Sequence, residues 1–542
     1  MQRVERSTCT RSTGSPAIVS LKLGRRFRHI AISRAGLFVA LSAISTLAYV
    51  ITSRRFGSVG FPLDDAWIHQ TFARSLAERG EWAFTPGQPS AGSTSPLWTL
   101  ALSIGYTLGL EYHAWTYVCG GAMLTFVAWL TCRLAFRLRG IHLSAILAGA
   151  FTALEWHLVW ASASGMETLL FAALALLAFE DSAAWRLASR HGGPVARARW
   201  GRVAGQGLVA GLAILTRPDG ITLAPFIALN IIAGNKRNGL GAVAARLAVF
   251  AIVAGALIAG YLDFNFRLSG ALWPNTYYAK QAEYAALRDL PFLSRFVQLG
   301  TLPFAGGLAV LAPGILLSAY ERARRHDWRQ LAPMVWGVVF VTLYAWRLPV
   351  TYQHGRYLIP VIPILAAYGL DGLAGWAQVH ARPAGRRIAS RAWAISLAAV
   401  TGAFWLIGAR AYARDVQIIE TEMVATARWL AKHTPADALL AAHDIGAVGY
   451  FARRPILDLA GLVSPEVVGI IRDERALAEL IVNSRAEYLM TFPGWYPQLV
   501  ADHRFRQVYS TGAPFSAAAG GENMAVYRVA PPLETMLYSG SQ

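Results

Sequence analysis

Charged residues are scarce in this chain. Only 15% of its 542 residues are Asp, Glu, Lys or Arg, whereas 55% are hydrophobic. A soluble globular protein carries about 25% charged residues, so this composition excludes a soluble fold and indicates a membrane protein. Cysteine is scarcer still: Cys119 and Cys132 lie in apolar segments, and Cys9 lies in the polar N-terminal stretch. They predict no disulfide framework.

The motifs of several enzyme classes are missing as well. The chain has no Walker motif, no GxGxxG turn, no HExxH zinc motif and no nucleophile elbow, so nucleotide hydrolysis and zinc proteolysis have no support. It also lacks zinc-ligand spacing and the aromatic–basic pattern of an RNA-binding sheet. The formal charge of +19 comes from short basic runs between apolar segments. That arrangement follows the positive-inside rule, and we predict no nucleic-acid partner.

Eleven apolar runs are long enough to cross a bilayer core of about 30 Å, allowing for tilt. They lie at 33–52, 114–136, 142–160, 166–183, 203–216, 219–234, 241–263, 298–319, 331–347, 357–376 and 392–410. A further run, 96–111, is assigned to a juxtamembrane helix, because only then do all basic loops and the N-terminus fall on the cytoplasmic side. The sequence thus predicts a mainly α-helical, polytopic membrane protein with its C-terminus outside.

Three parts follow from this topology. Residues 1–30 are polar and basic and predict a disordered cytoplasmic tail, and residues 31–410 form the membrane domain, with a first outer loop at 53–113. Residues 411–542 have the composition of a soluble protein, and their alternating helices and strands predict an extracytoplasmic α/β domain. The helices are expected at 416–432 and 476–482, and the strands at 438–442, 456–459, 488–491, 507–510 and 524–529.

Nearly all the unusual polar clusters fall in the loops that this topology leaves outside. Their sequences are DDAWIH, SGMET, TRPDG, PNTYYAK and QHGRY. Such convergence on one face predicts an active site at the outer membrane surface. A transporter would instead place its polar groups near the middle of the bilayer, on broken helices.

Two adjacent acids, Asp64 and Asp65, follow the first apolar run. One interpretation is helix capping, with Asp64 at the N-cap of a helix through Ile68 and Phe72 and with Asp65 favoured by the helix dipole. Capping requires only one acid. The other interpretation is a carboxylate that takes a proton from an attacking hydroxyl or that holds a metal. His69 shares the face of Asp65, so it orients the pair, contacts phosphate or is an ordinary interfacial residue.

Further charged residues lie at the outer ends of the spans. Glu167 enters an apolar run, where an acid is costly without a partner, and the outer arginines are its candidate partners. Arg217 and Asp219 flank Pro218 in a tight turn. Asp219 is either a helix cap or part of a site. Arg217 breaks the positive-inside pattern, and a cation kept on the outer side indicates a bound anion.

Two more cations belong to polar clusters. Lys280 follows Asn275 and Tyr278 in PNTYYAK, and Arg356 follows His354 in QHGRY, directly before a span. Arginine can make bidentate hydrogen bonds to phosphate, and lysine adds a compact positive charge beside it. The alternative for both is the binding of lipid head groups. The tyrosines belong either to the aromatic belt of the membrane interface or to a surface that stacks on sugar rings.

Six motifs, in chain order, resemble those of bacterial GT-C fold glycosyltransferases, nearest to the cell-envelope arabinofuranosyltransferases and their relatives. They are the stretch beginning LDDAWIHQTF, then SGMETLLF, LTRPDG, LWPNTYYAK, HGRYLIPVIP and DIGAVGYFARRPILDLAGLVSPE. The resemblance implies a multi-pass enzyme of the bacterial cytoplasmic membrane. It would take a sugar from a polyprenyl-phosphate carrier and pass it to a glycan, lipid or protein acceptor outside.

The resemblance also implies roles for individual residues. The catalytic acid of the family's first outer loop maps onto Asp64 or Asp65, and Lys280 and Arg356 map near the donor phosphate. A single displacement with an aspartate as base would invert the anomeric configuration. Some GT-C enzymes use a divalent metal, which the acid pair could hold, although nothing in the sequence requires a cofactor. The further donor-site candidates are Arg217, His69 and Tyr278, and the supporting residues are Glu167, Asp219, Asn275 and His354.

Two other functions would use the same features. A lipid-linked sugar transporter or flippase would move the carrier without forming a glycosidic bond. An inactive scaffold of an envelope-assembly complex would lose nothing when the acids are removed. The clustering of acids and cations on one face favours the glycosyltransferase over both, with membrane lipids as its surroundings.

Overall fold

The computed structural model describes residues 16–180, 200–235, 239–379 and 384–530. The first helix runs from Pro16 to Arg55, and proline is well tolerated at a first helical position. Residues 16–30 are therefore helical where the sequence predicts a disordered tail. Residues 1–15 of that predicted tail lie outside the described residues.

Five helices in the described part of the chain are long and apolar enough to cross a membrane. An apolar segment forms a helix in lipid because its backbone N–H and C=O groups must be paired within the segment. Each of the five lies over a predicted span. They are Arg34–Arg55, Tyr112–Arg139, Leu240–Ser269, Gln353–Gln378 and Arg387–His433.

A bent pair of helices lies over the next predicted span. His142–Leu154 and Trp156–Ala163 meet at 51°. The break lies at Glu155, whose carboxylate accepts a hydrogen bond from the N–H of Leu158 and so caps the second helix. The apolar run at 142–160 thus forms two helices.

A second bent pair interrupts the span predicted at 298–319. Phe292–Phe304 meets Gly307–Arg324 at 108°. Gly306 turns the chain with φ at 119°, in a region that glycine enters at little steric cost. With both pairs counted, up to seven spans in the described ranges meet the length and composition of a membrane helix, so the predicted eleven is not confirmed.

Shorter helices lie at the remaining predicted spans. They are Thr168–Ala178, Trp200–Thr216, Ala224–Asn235 and Trp328–Arg347. A 3-10 turn, Pro218–Leu223, joins the second to the third. This turn places Arg217 and Asp219 beside each other at one end of the bundle.

The first loop carries two short helices and a small hairpin. Helix Asp65–Arg79 is followed by antiparallel strands β1 (Ala83–Thr85) and β2 (Gln88–Pro89), and then by helix Pro96–Thr107. The 12 residues of the last helix are only about 18 Å long, which is too short for a bilayer core of about 30 Å. It fits the juxtamembrane helix that the sequence predicts there.

The last membrane helix continues into the C-terminal region without a break. It runs over Ala384–Ile418, through a π-helical turn at Ile419–Val424, and on to Ala425–His433. The sequence changes from apolar to charged near Arg410, and no proline lies between Ala384 and His433 to stop the helix. The domain boundary expected between 410 and 411 therefore lies inside a continuous helix.

The strands expected in the C-terminal region are present and form one mixed sheet in the order β4–β3–β5–β7–β6. Strand β3 pairs in parallel with β4 and β5, and β7 pairs antiparallel with β5 and β6. Helix Glu474–Asn483 packs on one face. The strands are β3 (Leu440–Ala442), β4 (Ile456–Asp458), β5 (Tyr488–Thr491), β6 (Phe505–Ser510) and β7 (Ala525–Val529).

The other face of this sheet packs against the first loop. Leu440 and Met490 of the sheet share one buried cluster with Trp67 and Phe72 of the loop. Trp67 is completely buried, and its ring lies edge-on to Phe451 with centroids 4.8 Å apart. The C-terminal region and the first loop therefore share a core, which holds the segment around the acid pair in place.

A buried charge cluster lies at the opposite end of helix Tyr112–Arg139. Asp371 is completely buried and accepts hydrogen bonds from Arg139 Nε at 3.1 Å and Ser318 Oγ at 2.9 Å. Arg322 Nη2 forms an ion pair with the same carboxylate at 2.9 Å. Because every charge in the cluster has a partner, we interpret it as a structural link between three helices.

Candidate active site

A cavity of about 350 Å³ lies where the first loop, the membrane helices and the C-terminal region meet. The sequence clusters DDAWIH, SGMET, TRPDG, PNTYYAK and QHGRY all contribute side chains to its wall. Seven residues predicted from the sequence line it: Asp65, His69, Glu167, Arg217, Asp219, Lys280 and Arg356. Apolar side chains, among them Ile221, Leu343 and Leu348, form another part of the wall.

Asp65 is held by two cations. Its Oδ2 accepts hydrogen bonds from Lys280 Nζ at 3.0 Å and from Arg356 Nη2 at 2.5 Å. Both contacts use Oδ2, so Oδ1 has no hydrogen-bond partner among the described residues. Burial alone would raise the pKa of Asp65, but the charges and hydrogen bonds of Lys280 and Arg356 hold it well below its usual range. Asp65 is therefore an ionised carboxylate with one oxygen unengaged.

Asp64 has a different environment. Its Oδ2 accepts a hydrogen bond from the N–H of Gly446 at 2.6 Å, and its Oδ1 accepts one from Ala447 at 2.8 Å. It does not line the cavity. Asp64 does precede helix Asp65–Arg79, but its side chain makes no capping bond there. Burial and the nearby carboxyl of Asp444 raise the pKa of Asp64 to about 8, although its two backbone hydrogen bonds act in the opposite direction.

The contact with Asp64 explains why the first glycine of the DIGAVGY motif, Gly446, is a glycine. A Cβ at Gly446 would lie 2.0 Å from the carbonyl oxygen of Asp64 and 2.7 Å from its Oδ2. No side chain fits at that separation, so glycine is required for the close approach. Asp64 thus ties the first loop to the helical turn that begins at Ile445.

The loop before Arg356 has an unusual backbone. Gln353, His354 and Gly355 have φ angles of 55°, 57° and 64°, in the left-handed region that residues with side chains rarely adopt. The turn separates neighbouring side chains. Arg356 lines the first cavity, whereas His354 Nε2 lies 2.8 Å from Asp415 Oδ2 in a second cavity of about 490 Å³.

Two donors of Arg356 lack an acceptor. Its Nη2 donates to Asp65 and to the hydroxyl of Tyr357 at 3.1 Å, whereas its Nε and Nη1 are buried without a hydrogen-bond partner in the described part of the chain. Lys280 Nζ donates to the same Tyr357 hydroxyl at 3.3 Å. Unpaired buried donors are costly, above all on a charged group, so this group of cations favours an anion beside it.

Arg217 is more fully neutralised than its sequence context predicts. Its Nε and Nη2 bind the two oxygens of Asp219 at 3.2 and 3.0 Å, and Nη2 donates to the Tyr344 hydroxyl at 2.5 Å. Glu167 Oε1 lies 4.0 Å from Arg217 Nε, and Glu167 Oε2 lies 3.4 Å from His69 Nε2. Asp219 is therefore the partner of Arg217, and Glu167 links this pair to His69.

Besides Asp64, three predicted residues do not join the cavity. Tyr278 is exposed, Asn275 is buried with its N–H donating to the carbonyl of Ala91 at 3.1 Å, and His354 belongs to the second cavity. Helix Asn275–Glu283 instead turns other side chains toward the cavity, namely Tyr277, Lys280 and Gln281. These are positions i, i+3 and i+4 of one helix face, so helical periodicity could have selected Tyr277 over Tyr278.

Sequence reasoning missed Arg347 and Tyr344 among the lining residues, and it left Tyr357 open between an aromatic belt and a surface that stacks on sugar rings. Arg347 ends helix Trp328–Arg347 at the predicted outer end of a span. It therefore breaks the positive-inside pattern in the same way as Arg217, and that signal could have found it. The two tyrosines stack on each other with ring centroids 5.3 Å apart, and no sequence pattern distinguishes them from an aromatic belt.

The C-terminal region closes one side of the cavity. Leu462 lines it, and His443 Nε2 lies 3.3 Å from Glu283 Oε1, on the helix that carries Lys280. His443 Nδ1 also hydrogen-bonds the Tyr496 hydroxyl at 2.6 Å. Burial opposes the charged form of His443, but the hydrogen bond to Glu283 and the nearby carboxyls raise its pKa. These contacts join the C-terminal sheet to the wall of the cavity.

The acid pair does not fit the metal-holding role considered for it. Oδ2 of Asp65 is engaged by two cations, which would repel a divalent ion. Both oxygens of Asp64 are engaged by backbone N–H groups. Within the described ranges, no group of three or more His, Cys, Asp and Glu side chains is arranged to hold a metal.

Solved structures share this architecture. ArnT of Cupriavidus metallidurans, solved bound to undecaprenyl phosphate, matches with a TM-score of 0.56 at 16% identity, over 92% of this chain and 99% of ArnT. An oligosaccharyltransferase of Archaeoglobus fulgidus, solved with Zn and sulfate, matches with a TM-score of 0.57 at 14% identity, over 91% of this chain and 74% of the other. The chain has the GT-C fold. The GT-C membrane fold expected from the sequence motifs is thus confirmed.

The other comparisons give one more solved structure of similar fold and no functional assignment. The oligosaccharyltransferase AglB of Archaeoglobus fulgidus, solved with an inhibitory peptide and a dolichol-phosphate, matches with a TM-score of 0.52 at 13% identity, over 84% of this chain and 69% of AglB. Residues 408–527 match a family model described as a domain of unknown function, DUF8728. No curated protein matches the sequence. The nearest subgroup expected from the sequence, the arabinofuranosyltransferases, stays a prediction.

Proposed function

We propose that this GT-C protein is an integral-membrane glycosyltransferase of the bacterial cytoplasmic membrane. It moves a sugar from a polyprenyl-phosphate carrier to a hydroxyl of a cell-envelope glycan, lipid or protein, on the outer side. One observation supports this most: in one cavity an ionised acid, Asp65, binds two cations, and one of them, Arg356, has buried donors without an acceptor. A lipid-linked sugar phosphate supplies the missing anion, and an acceptor hydroxyl supplies a proton for the acid.

The donor class has two lines of support. The ArnT structure holds undecaprenyl phosphate, and the AglB structure holds a dolichol-phosphate. In this chain the cavity combines cations with an apolar wall that includes Ile221, Leu343 and Leu348. A prenyl chain would lie along that wall because burial of apolar surface is favourable, with its phosphate at Lys280 and Arg356.

Departure of the phosphate is the step that needs the cations. The bond between the anomeric carbon and the phosphate oxygen breaks, and negative charge builds on the leaving polyprenyl phosphate. Lys280 and Arg356, whose side chains are largely buried, stabilise that charge. Arg217 is already balanced by Asp219 and Glu167, so we assign these three residues to shaping the wall beside the phosphate, together with His69.

Asp65 is the base in this proposal. The acceptor oxygen attacks the anomeric carbon from the face opposite the phosphate and inverts its configuration, while the acceptor proton passes to Oδ1 of Asp65. In the unliganded site Lys280 and Arg356 keep the pKa of Asp65 too low for an efficient base. When the donor phosphate attracts both cations, the pKa of Asp65 returns toward its ordinary value. The base is therefore activated only when the donor is bound.

Asp64 has a positioning role in this proposal. Its pKa is higher than that of Asp65, but both of its oxygens are already bonded to Gly446 and Ala447. It would have to break those contacts before it could accept a proton. We therefore assign Asp64 to holding the loop, so that Asp65 faces the cavity.

Complementation of a deletion strain tests the proposal whichever sugar the carrier holds. Polyprenyl-phosphate sugars and envelope glycans are measured by mass spectrometry in strains that carry Asp65→Asn or the control Asp263→Asn. Asp263 is an exposed acid paired with Arg267 and does not line the cavity. We expect Asp65→Asn to accumulate the donor and to shorten a glycan as the deletion does, and Asp263→Asn to restore the wild-type pattern.

Two outcomes would overturn the proposal. Full restoration by Asp65→Asn would favour an inactive scaffold, since the acid would then have no chemical role. Translocation of a labelled polyprenyl-phosphate sugar by the purified protein, with no glycosylated product from any acceptor fraction, would favour a flippase.

A further inference from the structure

A second polar pocket, of about 330 Å³, lies beside the cavity and shares two residues with it. We call it the arginine pocket. It is lined by Gln281, Arg288, Arg295, Trp346 and Arg347, of which Gln281 and Arg347 also line the cavity. None of the roles assigned above uses Arg288 or Arg295.

The three arginines of this pocket have no ion-pair partner among the described residues. Arg347 donates to the Gln281 side chain at 2.8 Å and to the Tyr277 hydroxyl at 2.9 Å, and Arg288 makes one long hydrogen bond to the Gln281 carbonyl at 3.4 Å. Nε and Nη1 of Arg295 are buried with no partner. Three like charges close together repel one another, and unpaired buried donors cost free energy. An anion in the pocket would relieve both effects.

The helix that carries Arg295 has the form of one that lies in a membrane surface. Phe292–Phe304 meets the following apolar helix at 108° rather than continuing it. Phe292, Leu293 and Val297 are exposed, with Leu293 at 70% of its maximum, whereas Arg295 is half-buried on the side of the pocket. A helix that is apolar outside and basic inside is typical of the interface between lipid head groups and acyl chains.

Trp346 also indicates that the pocket lies at the level of the lipid head groups. It is 61% exposed at the end of helix Trp328–Arg347, next to Arg347. Exposed tryptophan at the end of a membrane helix is typical of the head-group level. Trp346 and helix Phe292–Phe304 thus both favour the head-group level for the arginine pocket.

We propose that the arginine pocket binds the phosphate of an anionic lipid head group at the entrance to the cavity. The planar guanidinium of arginine presents donors that match phosphate oxygens. Three guanidinium groups without carboxylate partners give the pocket a net positive charge. Arg347 and Gln281 join the pocket to the cavity, so a lipid bound there lies beside the phosphate site of Lys280 and Arg356. The proposal concerns binding and does not depend on the proposed sugar transfer.

The test measures lipid binding directly. The full-length protein is purified in detergent, and native mass spectrometry records its complexes with phosphatidylglycerol, with phosphatidylcholine and with inorganic phosphate. The double variant Arg288→Gln/Arg295→Gln removes two of the three guanidinium groups and keeps Arg347, which also lines the cavity. The control Arg267→Gln removes an exposed arginine that is paired with Asp263.

We expect the wild type and Arg267→Gln to bind phosphatidylglycerol in preference to phosphatidylcholine, and the double variant to bind it at least about tenfold more weakly. Equal binding of phosphatidylglycerol by wild type and double variant would overturn the proposal. Binding of inorganic phosphate without a preference for phosphatidylglycerol would also overturn it, because the source of the phosphate would then not be a lipid. If the double variant is unstable, the exposed Arg288→Gln alone provides the same comparison.

Discussion

Replacement of Asp64 by alanine tests whether the acid pair is divided between structure and chemistry. The change removes the acceptor of two N–H groups, those of Gly446 and Ala447. A buried N–H group left without an acceptor costs about 1–3 kcal/mol, so the loss of both acceptor contacts costs about 2–6 kcal/mol. Folded proteins are stable by only about 5–15 kcal/mol. We therefore expect Asp64→Ala to loosen the shared core of the first loop and the C-terminal sheet.

The assay is thermal unfolding of the purified protein in detergent, followed by tryptophan fluorescence. Trp67 is completely buried between the two parts and would report their separation. Gly446→Ala attacks the same contact from the other side, because its Cβ would lie 2.0 Å from the Asp64 carbonyl oxygen. If both changes act through one contact, the double variant loses clearly less stability than the sum of the single variants. The exposed Asp263→Ala serves as the control.

One result would refute this reasoning. If Asp64→Ala unfolds at the wild-type temperature and yet has lost sugar transfer, Asp64 acts in the chemistry and does not hold the loop. A stability loss that adds fully to that of Gly446→Ala would also contradict the shared contact.

Three further predictions address the cavity and the bundle. Arg356→Lys keeps the positive charge but loses the planar guanidinium that can make two hydrogen bonds to phosphate. Sugar transfer should therefore fall about 10²–10³-fold in an initial-rate assay. An unchanged rate would exclude Arg356 from the phosphate site. Asp371→Asn removes the carboxylate partner of Arg322 and leaves Arg139 paired with Glu321 alone. It should cost about 3–5 kcal/mol, seen as a lower unfolding temperature by circular dichroism. The pKa of Asp65 is lowered in the folded state, so the stability it contributes is fully present above its unfolded pKa of about 4 and is lost as pH falls below that value. The difference in unfolding temperature between wild type and Asp65→Asn should therefore be the same at about pH 7 and about pH 5 and should shrink in stronger acid.

The meeting of the polar clusters could be predicted from the sequence because two general rules apply to it. The positive-inside rule assigns basic loops to one side of the membrane, so the polar loops left on the other side are candidates for one site. Lys280 and Arg356 were selected in this way, and both bind Asp65. The C-terminal strands could be predicted because short runs of β-formers between turn residues are a local signal.

The different surroundings of Asp64 and Asp65 could not be predicted. Asp64 and Asp65 are adjacent, but the partners of Asp64 lie 382 and 383 residues away, and no local pattern links them. The same holds for His354 and Arg356. Only the left-handed backbone at 353–355 sends them to different cavities, and two of those three residues are not glycine. The predicted number of spans is not confirmed, since an apolar run does not show where a helix bends, as at Glu155 and Gly306.

The central claim is that Asp65 takes the proton of the acceptor hydroxyl. It is tested most directly by the initial rate of sugar transfer of Asp65→Asn in lipid vesicles, with the polyprenyl-phosphate sugar that accumulates in the deletion strain as donor. We predict a loss of about 10²–10⁴-fold, with polyprenyl phosphate bound at least as tightly as by the wild type, because the neutral amide no longer competes for Lys280 and Arg356. A rate within about twofold of the wild type would contradict the account.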